Sequence, residues 1–302
     1  MDVIHIVRIT VFSIILILGI IGNGLVIWIA GFRMKKTISA VWFLHLSIAD
    51  FLCCACIPLW IADSASSGGV CRSLPISCLL NHILLYVTFG TSISLLTAMS
   101  IDRWVSVMWP FWAKVHRTQK RVRIHVGIIW FQSLIWTGLM LGVFGYHYFY
   151  KKFSYNTFLS INLIMLLIQF VIPFLIIFTS YVTIFLKLRK SNRPQRSQRP
   201  YRIITAVILC FFLCWAPHHI FVILFRLHSH NYHLYIAHSI TDFLAYLNSC
   251  LNPIIYVFMG KDFRHNFLRS IPFRVEKALS EHPDGPCGEL EDGDPVEPNT
   301  HV

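Results

Sequence analysis

The fold of this chain is decided by the stretch Asn248-Ser249-Cys250-Leu251-Asn252-Pro253-Ile254-Ile255-Tyr256, near the end of its last long apolar segment. Amides, a hydroxyl, a proline and a phenol stand here, where lipid would favour hydrocarbon alone. Pro253 removes a helix hydrogen bond and its ring clashes with the preceding turn, so we expect a kink that a neighbouring helix or water must satisfy. A kinked polar helix at membrane depth indicates a part of the protein that moves.

The composition places the rest of the chain in a bilayer. Hydrophobic residues make up 56% of its 302 residues and charged residues only 13%. Runs long enough to cross the hydrocarbon, about 20 residues each, lie at 7–30, 40–63, 76–108, 122–145, 157–187, 203–227 and 234–258. The sequence therefore predicts an all-α membrane protein, a bundle of seven transmembrane helices without a second folded domain.

The net charge of +12 is distributed unevenly along the chain. Twenty of the 26 lysines and arginines lie in alternate segments between the spans, at 31–39, 109–125, 187–202 and 261–277. Because lysine and arginine favour the cytoplasmic side, we expect the amino terminus outside the cell and the carboxyl terminus inside, in the plasma membrane. The basic segments suit anionic lipid or an acidic protein surface, and nucleic acid is not an expected partner.

Asp50 is an ionisable residue inside an apolar run, where a charge is expensive unless it pairs, meets water or holds an ion. A protonated carboxyl group bonded to its neighbours is one interpretation. The other is a sodium site, because oxygen ligands around one carboxylate suit a hard cation. Further oxygens come from Ser92, Asn248, Ser249 and Asn252.

Other spans carry polar or helix-breaking residues at fixed places. Asp102-Arg103 ends the third span and by itself suggests a local ion pair or an interface anchor. Pro173 and Pro217 are each expected to break a span, and Trp215 is a large ring beside the second break. As isolated residues they would be assigned to packing. The set is completed by Gly22-Asn23, Trp130, Tyr181 and Phe211.

Taken together, in this order and spacing, these residues resemble the rhodopsin-like class of G-protein-coupled receptors from Gly22 to about Leu268. Within that class the chain is similar to the chemoattractant-peptide branch, and most of all to chemerin and formyl-peptide receptors. The stretches that carry this similarity are Phe32–Thr37, Val41–Leu52, Phe211–Pro217 and Asn252–Phe263.

The resemblance implies a receptor without enzymatic chemistry, in which an outer agonist shifts a two-state equilibrium. Pro217 is then the hinge of the sixth span, and Trp215 couples the ligand to it through the triad Pro173, Ile93 and Phe211. Tyr256 and Tyr181 move toward Arg103, beside Asp102, and open an inner cleft for a G protein, expected to be of the inhibitory type. Sodium at Asp50 favours the resting state, and no other cofactor is implied.

Helical spacing places ten residues toward an outer ligand cavity: Trp60, Asp63, His82, Tyr86, Met165, His218, Arg226, His238, Asp242 and Tyr246. Each histidine alone is more often a satisfied core residue. Formyl-peptide receptors place carboxylate-binding arginines in the fifth span, whereas the matching stretch 161–165 is interpreted as apolar. Asp242 and Asp63 therefore suggest a peptide or small molecule with a basic or amphipathic end, with Arg226 available for a carboxylate.

Cysteine usage predicts mostly buried thiols. Cys71 and Cys78 lie on the outer side and can form a bridge, although spacing leaves the pairing open. The disulfide that this family normally has, between the top of the third span and the following outer loop, is missing because no cysteine lies between Cys78 and Cys210.

The carboxy-terminal part divides into two predicted segments. Phe263, Phe267 and Ile271 recur at helical spacing among basic residues, which indicates a short amphipathic eighth helix that completes a receptor domain at 1–271. The acidic segment 272–302 is rich in proline and glycine and is expected to be disordered. It offers only Ser280 and Thr300 for phosphorylation, so we expect weak arrestin recruitment.

Three other functions were weighed against a signalling receptor. A transporter would show internal repeats, and none is found. A seven-span zinc hydrolase would use some of the 15 histidines, but the adjacent pair His218-His219 is expected to point apart. A scavenger or decoy receptor of the same fold, which binds ligand without signalling, stays open because sequence does not reveal coupling.

Overall fold

The computed structural model describes residues 3–33, 36–66, 69–150, 155–189, 199–227 and 232–259. These residues form helices and contain no strand. The α-helices are α1 (Val3–Trp28), α2 (Ile38–Ala55), α3 (Ile57–Ala65), α4 (Gly69–Ser73), α5 (Pro75–Met108), α6 (Pro110–His116), α7 (Gln119–Tyr150), α8 (Tyr155–Leu166), α9 (Ile172–Arg189), α10 (Arg199–Leu227) and α11 (Tyr232–Met259). The predicted eighth helix and acidic tail lie outside the described residues.

The seven predicted spans correspond to α1, α2 with α3, α5, α7, α8 with α9, α10 and α11. Within the described residues, the first five of these are long and apolar enough to cross a membrane. The sixth contains a shorter apolar stretch, Ile208–Leu224. The seventh, α11, is 28 residues long, and polar residues such as Asp242 and Asn252 lower its hydropathy.

Apolar side chains cover the outside of the bundle while polar ones lie within it. Phe131 and Leu213 expose 65% and 71% of their surface, whereas Asn23 and Asp50 expose 0% and 1%. This distribution is the reverse of that in a water-soluble protein, in which large exposed apolar patches are rare. It is expected where the surrounding solvent is lipid and each internal polar group must find its partner inside the protein.

Helix α5 is the centre of the bundle, since it packs against α2, α7, α9 and α10. The main apolar core surrounds it, with Leu46, Leu96 and Phe211 among its fully buried side chains. A smaller core joins α1, the α2–α3 region and α11 through Phe12, Ile57 and other side chains. The smaller core lies toward the outer ends of these helices.

Helix irregularities lie only partly where the sequence predicts them. The second span is interrupted at Cys56, just before Pro58, which the sequence analysis did not anticipate. Pro173 follows a π-helical turn at Leu167–Val171, as expected for a break. The prediction that Pro217 breaks its span is wrong at the level of secondary structure, because this proline lies inside the continuous helix α10. A proline can kink a helix without ending it.

The carbonyl group that Pro253 leaves without its usual helix donor is satisfied by a residue of another helix. A proline at position 253 lacks the N–H that would bond the carbonyl of Ser249, four residues earlier. The Asn23 Nδ2 group of α1 donates to that carbonyl at 2.8 Å and to the Gly19 carbonyl at 3.0 Å. A Cβ atom added at Gly22 would lie 3.1 Å from Pro253 Cβ, so the absence of a side chain permits this contact.

We predict that Asn23→Ala destabilises the bundle by about 1–3 kcal/mol, because the Ser249 carbonyl then stays buried without a donor. The measurement is the apparent melting temperature of the purified protein. Ser13→Ala is the matched control, since Ser13 only donates within α1, to the Ile9 carbonyl at 2.7 Å. Equal melting temperatures for the two variants would contradict the assigned role of Asn23.

Candidate functional site

A cavity of about 340 Å³ lies among the outer ends of α1, α3, α5, α8, α10 and α11. Eight of the ten predicted ligand-binding residues line it: Trp60, His82, Tyr86, Met165, His218, His238, Asp242 and Tyr246. Most of the residues that helical spacing selects from the sequence therefore line the cavity.

The other two predicted residues do not contribute described lining atoms. Asp63 lies outside the lining, and its Oδ1 accepts a hydrogen bond from the Cys71 backbone N–H at 2.9 Å. The side chain of Arg226 lies outside the described residues. Neither residue is therefore among the described residues that line the cavity.

Several lining residues were not selected from the sequence: Arg8, Phe12, Phe89, Asn162, Gln169 and His219. The interpretation of stretch 161–165 as apolar is wrong at Asn162, a polar residue that lines the cavity. His219 lines the same cavity as His218, with their ring centroids 5.6 Å apart, so the two side chains do not diverge as expected. Arg8 could have been predicted from the sequence, because it is a charged residue at the outer end of the first span.

Asp242 is enclosed by two histidines from different helices. Its Oδ1 lies 2.9 Å from Nδ1 of His218 on α10, and its Oδ2 lies 3.3 Å from Nδ1 of His238 on α11. Both carboxylate oxygens therefore face an imidazole of the receptor itself. The carboxylate also borders the cavity, so its pairing with a basic ligand group, inferred from the sequence, stays a prediction.

The outer end of α5 is tied to the α3–α4 segment. A disulfide joins Cys71 on α4 to Cys78 on α5. The Trp60 and His82 rings meet edge to face with centroids 4.8 Å apart. One side of the cavity is thus held by a covalent link and an aromatic contact.

An aromatic stack leads from the floor of the cavity into the core. Trp215 lines the cavity, and its ring centroid lies 4.1 Å from that of Phe89 and 6.0 Å from that of Phe211. Phe211 is fully buried in the main core together with Ile93. Of the predicted triad, Ile93 and Phe211 share this core, while Pro173 lies half-buried at the start of α9, outside it.

Below the stack lies a polar core around Asp50. The Ser249 hydroxyl donates to Asp50 Oδ1 at 3.1 Å, and Asn252 Nδ2 donates to Oδ2 at 2.7 Å. The buried Ser92 of α5 lies next to this carboxyl group. The structure therefore joins α2, α5 and α11 at the place where the sequence suggested an oxygen-rich site.

At the inner end of α5, the adjacent residues Asp102 and Arg103 have separate partners. Arg117 donates from Nε and Nη2 to the two Asp102 oxygens, each at 2.7 Å. Arg103 donates to the Ser39 hydroxyl at the start of α2. Asp102 is therefore held by the segment after α6, a contact that the sequence analysis missed. Tyr181 packs against the main core, and the side chain of Tyr256 lies outside the described residues.

The family profile described as "7 transmembrane receptor (rhodopsin family)" matches residues 22–256. The chain belongs to this family. It is 36% identical to formyl peptide receptor 2 of Mus musculus, over 92% of this chain and 87% of that protein. It is 35% identical to chemerin-like receptor 1 of Sus scrofa (92% and 84%) and 33% identical to C5a anaphylatoxin chemotactic receptor 1 of Oncorhynchus mykiss (88% and 81%). The predicted class and chemoattractant branch are confirmed.

As a G-protein-coupled receptor of the rhodopsin family, the protein is a multi-pass protein of the plasma membrane and not a member of an enzyme family. Its described residues contain no group of three or more histidine, cysteine, aspartate or glutamate side chains suited to a metal ion.

A sodium ion needs different donors, namely carboxylate, hydroxyl and amide oxygens. Besides Asp50, the receptor offers the buried Oδ1 atoms of Asn248 and Asn252, which have no hydrogen-bond partner among the described residues. These unpartnered acceptors fit a small hard cation.

We predict that Arg117→Ala lowers the stability of the receptor by about 1–3 kcal/mol, because Asp102, largely buried, then loses a bidentate partner. The double change Asp102→Arg with Arg117→Asp should recover part of the loss. The apparent melting temperature measures both effects. Arg121→Ala is the control, since the exposed Arg121 side chain donates only to the His116 carbonyl, at 3.1 Å, among the described groups. A charge swap no more stable than Arg117→Ala would refute a specific ion pair.

Proposed function

We propose that this receptor binds an extracellular chemoattractant-type peptide, or a small ligand of that type, and catalyses nucleotide exchange on a heterotrimeric G protein of the inhibitory type. The observation that supports it best is the position of Trp215, which both lines the outer cavity and stacks on the core residues Phe89 and Phe211. A ligand in the cavity therefore touches the side chain next to the proline of α10. The relatives are named as receptors for formyl peptides, chemerin and C5a.

The ligand acts by binding the active arrangement more tightly than the resting one. His218 follows Pro217 directly, and its ring meets that of Trp215 edge to face at 5.5 Å. Displacement of either ring by an agonist moves the segment that carries the α10 proline. Rotation about Pro217 then swings the inner half of α10 outward and opens a cleft beside Arg103.

The inner surface suits a protein partner with acidic groups. The short helix α6 exposes Phe111 and Trp112, and the neighbouring residues Lys114, Lys120 and Arg123 are also exposed. Apolar rings within a basic surface provide both a buried contact and electrostatic steering for an acidic partner. This surface lies inside the cell in the orientation predicted from the lysines and arginines.

The test is nucleotide exchange on purified inhibitory-type G protein by the receptor in lipid nanodiscs. The panel consists of formylated peptides, chemerin and C5a. We expect at least one of them to raise the exchange rate of the wild-type receptor. Arg103→Gln should abolish the increase and keep ligand binding, because Arg103 lies at the cleft and far from the cavity.

Arg72→Gln is the control, since Arg72 is an exposed arginine on α4, at the opposite end of the bundle from the G protein and outside the cavity lining. It should retain most of the exchange activity. A receptor that binds a panel member and never accelerates exchange is a decoy receptor, and this result would refute the signalling proposal.

We also propose that sodium binds at Asp50 and favours the resting state. Asp50, Ser92, Asn248, Ser249 and Asn252 would hold it through a carboxylate, hydroxyl and amide oxygens. When bound, the ion neutralises the buried carboxylate and draws α2, α5 and α11 together. An active arrangement that separates these helices would release the ion.

We predict that sodium chloride raises the apparent melting temperature of the wild-type receptor above that in choline chloride of equal ionic strength, because a ligand of the folded state stabilises it by mass action. Asp50→Asn should remove this difference. Asp63→Asn is the control and should keep it, since Asp63 lies outside the polar core. Equal melting temperatures of the wild type in both salts would exclude the site.

A further inference from the structure

A buried glutamine lines the cavity without a partner among the described residues. Gln169 lies on the π-helical turn at Leu167–Val171 and exposes only 8% of its surface. Its side chain borders the cavity and forms no hydrogen bond with a described group. A buried amide without a partner costs free energy, and lipid offers no donor or acceptor in its place. The cavity is therefore the side from which a partner can reach it.

The π-helical turn explains why a glutamine of a lipid-facing span points into the bundle. The two residues before it, Leu167 and Ile168, expose 48% and 43% of their surface. Phe170, directly after it, packs against the main core, and its ring centroid lies 4.9 Å from that of His219 on α10. Single π-helical turns within α-helices are frequent at functional sites. This one places an amide between the lipid-facing side chains and the aromatic core.

The floor of the cavity beside Gln169 is polar and framed by aromatic rings. Trp215 and His219 line it, and Nε1 of Trp215 and Nε2 of His219 are buried with no hydrogen-bond partner among the described groups. The ring of Phe89 lies 4.1 Å from that of Trp215 and 5.9 Å from that of His219. The described lining residues Arg8 and Asp242 belong to α1 and α11. On the side formed by α5, the π-helical turn and α10, the described lining therefore contains no carboxylate, lysine or arginine.

An amide is the ligand group that such a floor suits best. The side chain of a glutamine has a carbonyl that accepts and an amino group that donates, so it pairs with a second amide in both directions. A carboxylate would meet the carbonyl oxygen as well as the amino group. It would also lose its water among aromatic rings, where an unpaired charge is costly.

We propose that Gln169 anchors a neutral subsite at the floor of the cavity, which takes an uncharged amide of the ligand, from a peptide main chain or from an asparagine or glutamine side chain. The Gln169 amino group donates to the carbonyl of the ligand, and the Gln169 carbonyl accepts from its N–H. The proposal deepens the proposed function and rests on it only in taking this cavity as the ligand site.

The first measurement separates a binding role from a structural one. Gln169→Met replaces the amide with an apolar chain of similar length. Without ligand, this variant should melt at or above the temperature of the wild type, because it removes a buried amide and no hydrogen bond to a described residue. Gln132→Met is the matched control, since Gln132 is an exposed glutamine on α7 outside the cavity lining. A fall in melting temperature for Gln169→Met alone would assign the glutamine to structure and overturn the proposal.

The second measurement uses the full-length receptor in lipid nanodiscs and three pools of synthetic hexapeptides with acetylated and amidated ends. The pools contain apolar residues and differ at one position, which is fixed as leucine, asparagine or aspartate. We expect one or both uncharged pools to raise the melting temperature of the wild type more than the aspartate pool does. A response to the leucine pool identifies a main-chain amide as the bound group, and a response to the asparagine pool alone identifies a side chain.

The best uncharged peptide is then titrated against three variants. Gln169→Met should weaken its binding about tenfold or more, as expected for the loss of hydrogen bonds in a buried site. Gln169→Asn should keep part of the affinity, since it retains the amide and shortens its reach. Gln132→Met should bind like the wild type.

Three results would each overturn the subsite: an aspartate pool at least as effective as the uncharged pools, no response to either uncharged pool, or equal affinities of the wild type and Gln169→Met. Nucleotide exchange is recorded separately. Binding of an uncharged peptide that depends on Gln169 but never accelerates exchange refutes the signalling proposal and supports this subsite.

Discussion

The bundle depends on one hydrogen bond, from the Asn23 amide of α1 to the Ser249 carbonyl of α11. Without it, Pro253 would leave a buried carbonyl without a donor in a medium that supplies none. With it, the same segment of α11 can direct Ser249 and Asn252 at Asp50 on α2. Three helices thereby share one polar network, and each polar residue in it is held by another. The stretch that marks the fold in the sequence is also the one that closes the bundle.

The sequence predicts the spans and the polar residues within them well. A span in lipid needs a long apolar run, so both the run and any polar residue inside it can be recognised from the sequence. It does not predict which polar residues meet. Asp102 contacts Arg117 from the segment after α6, and not the arginine beside it, because the path of the loop decides that contact. Asp242 faces His238 because the two lie four residues apart on α11, whereas its contact with His218 depends on the relative rotation of α10 and α11, which periodicity alone does not fix. The interruption at Cys56 is not predicted, because Pro58 lies inside the apolar run 40–63, which is continuous in hydropathy.

The outer cavity and the inner end of the bundle are joined by rings and not by charges. Trp215 and Phe89 separate the imidazoles around Asp242 from the polar core around Asp50. Coupling between them must then be carried by displacement of packed side chains, which have few alternative arrangements because interiors are close-packed.

The contact between Gly22 and Pro253 determines how closely α1 can approach α11. Any side chain at position 22 would press on the proline ring, at 3.1 Å from its Cβ atom. A larger residue there would require the proline ring to shift by a few tenths of an ångström. The spacing of the two helices at this point therefore depends on a missing side chain, and a change at position 22 acts on α11 as well as on α1.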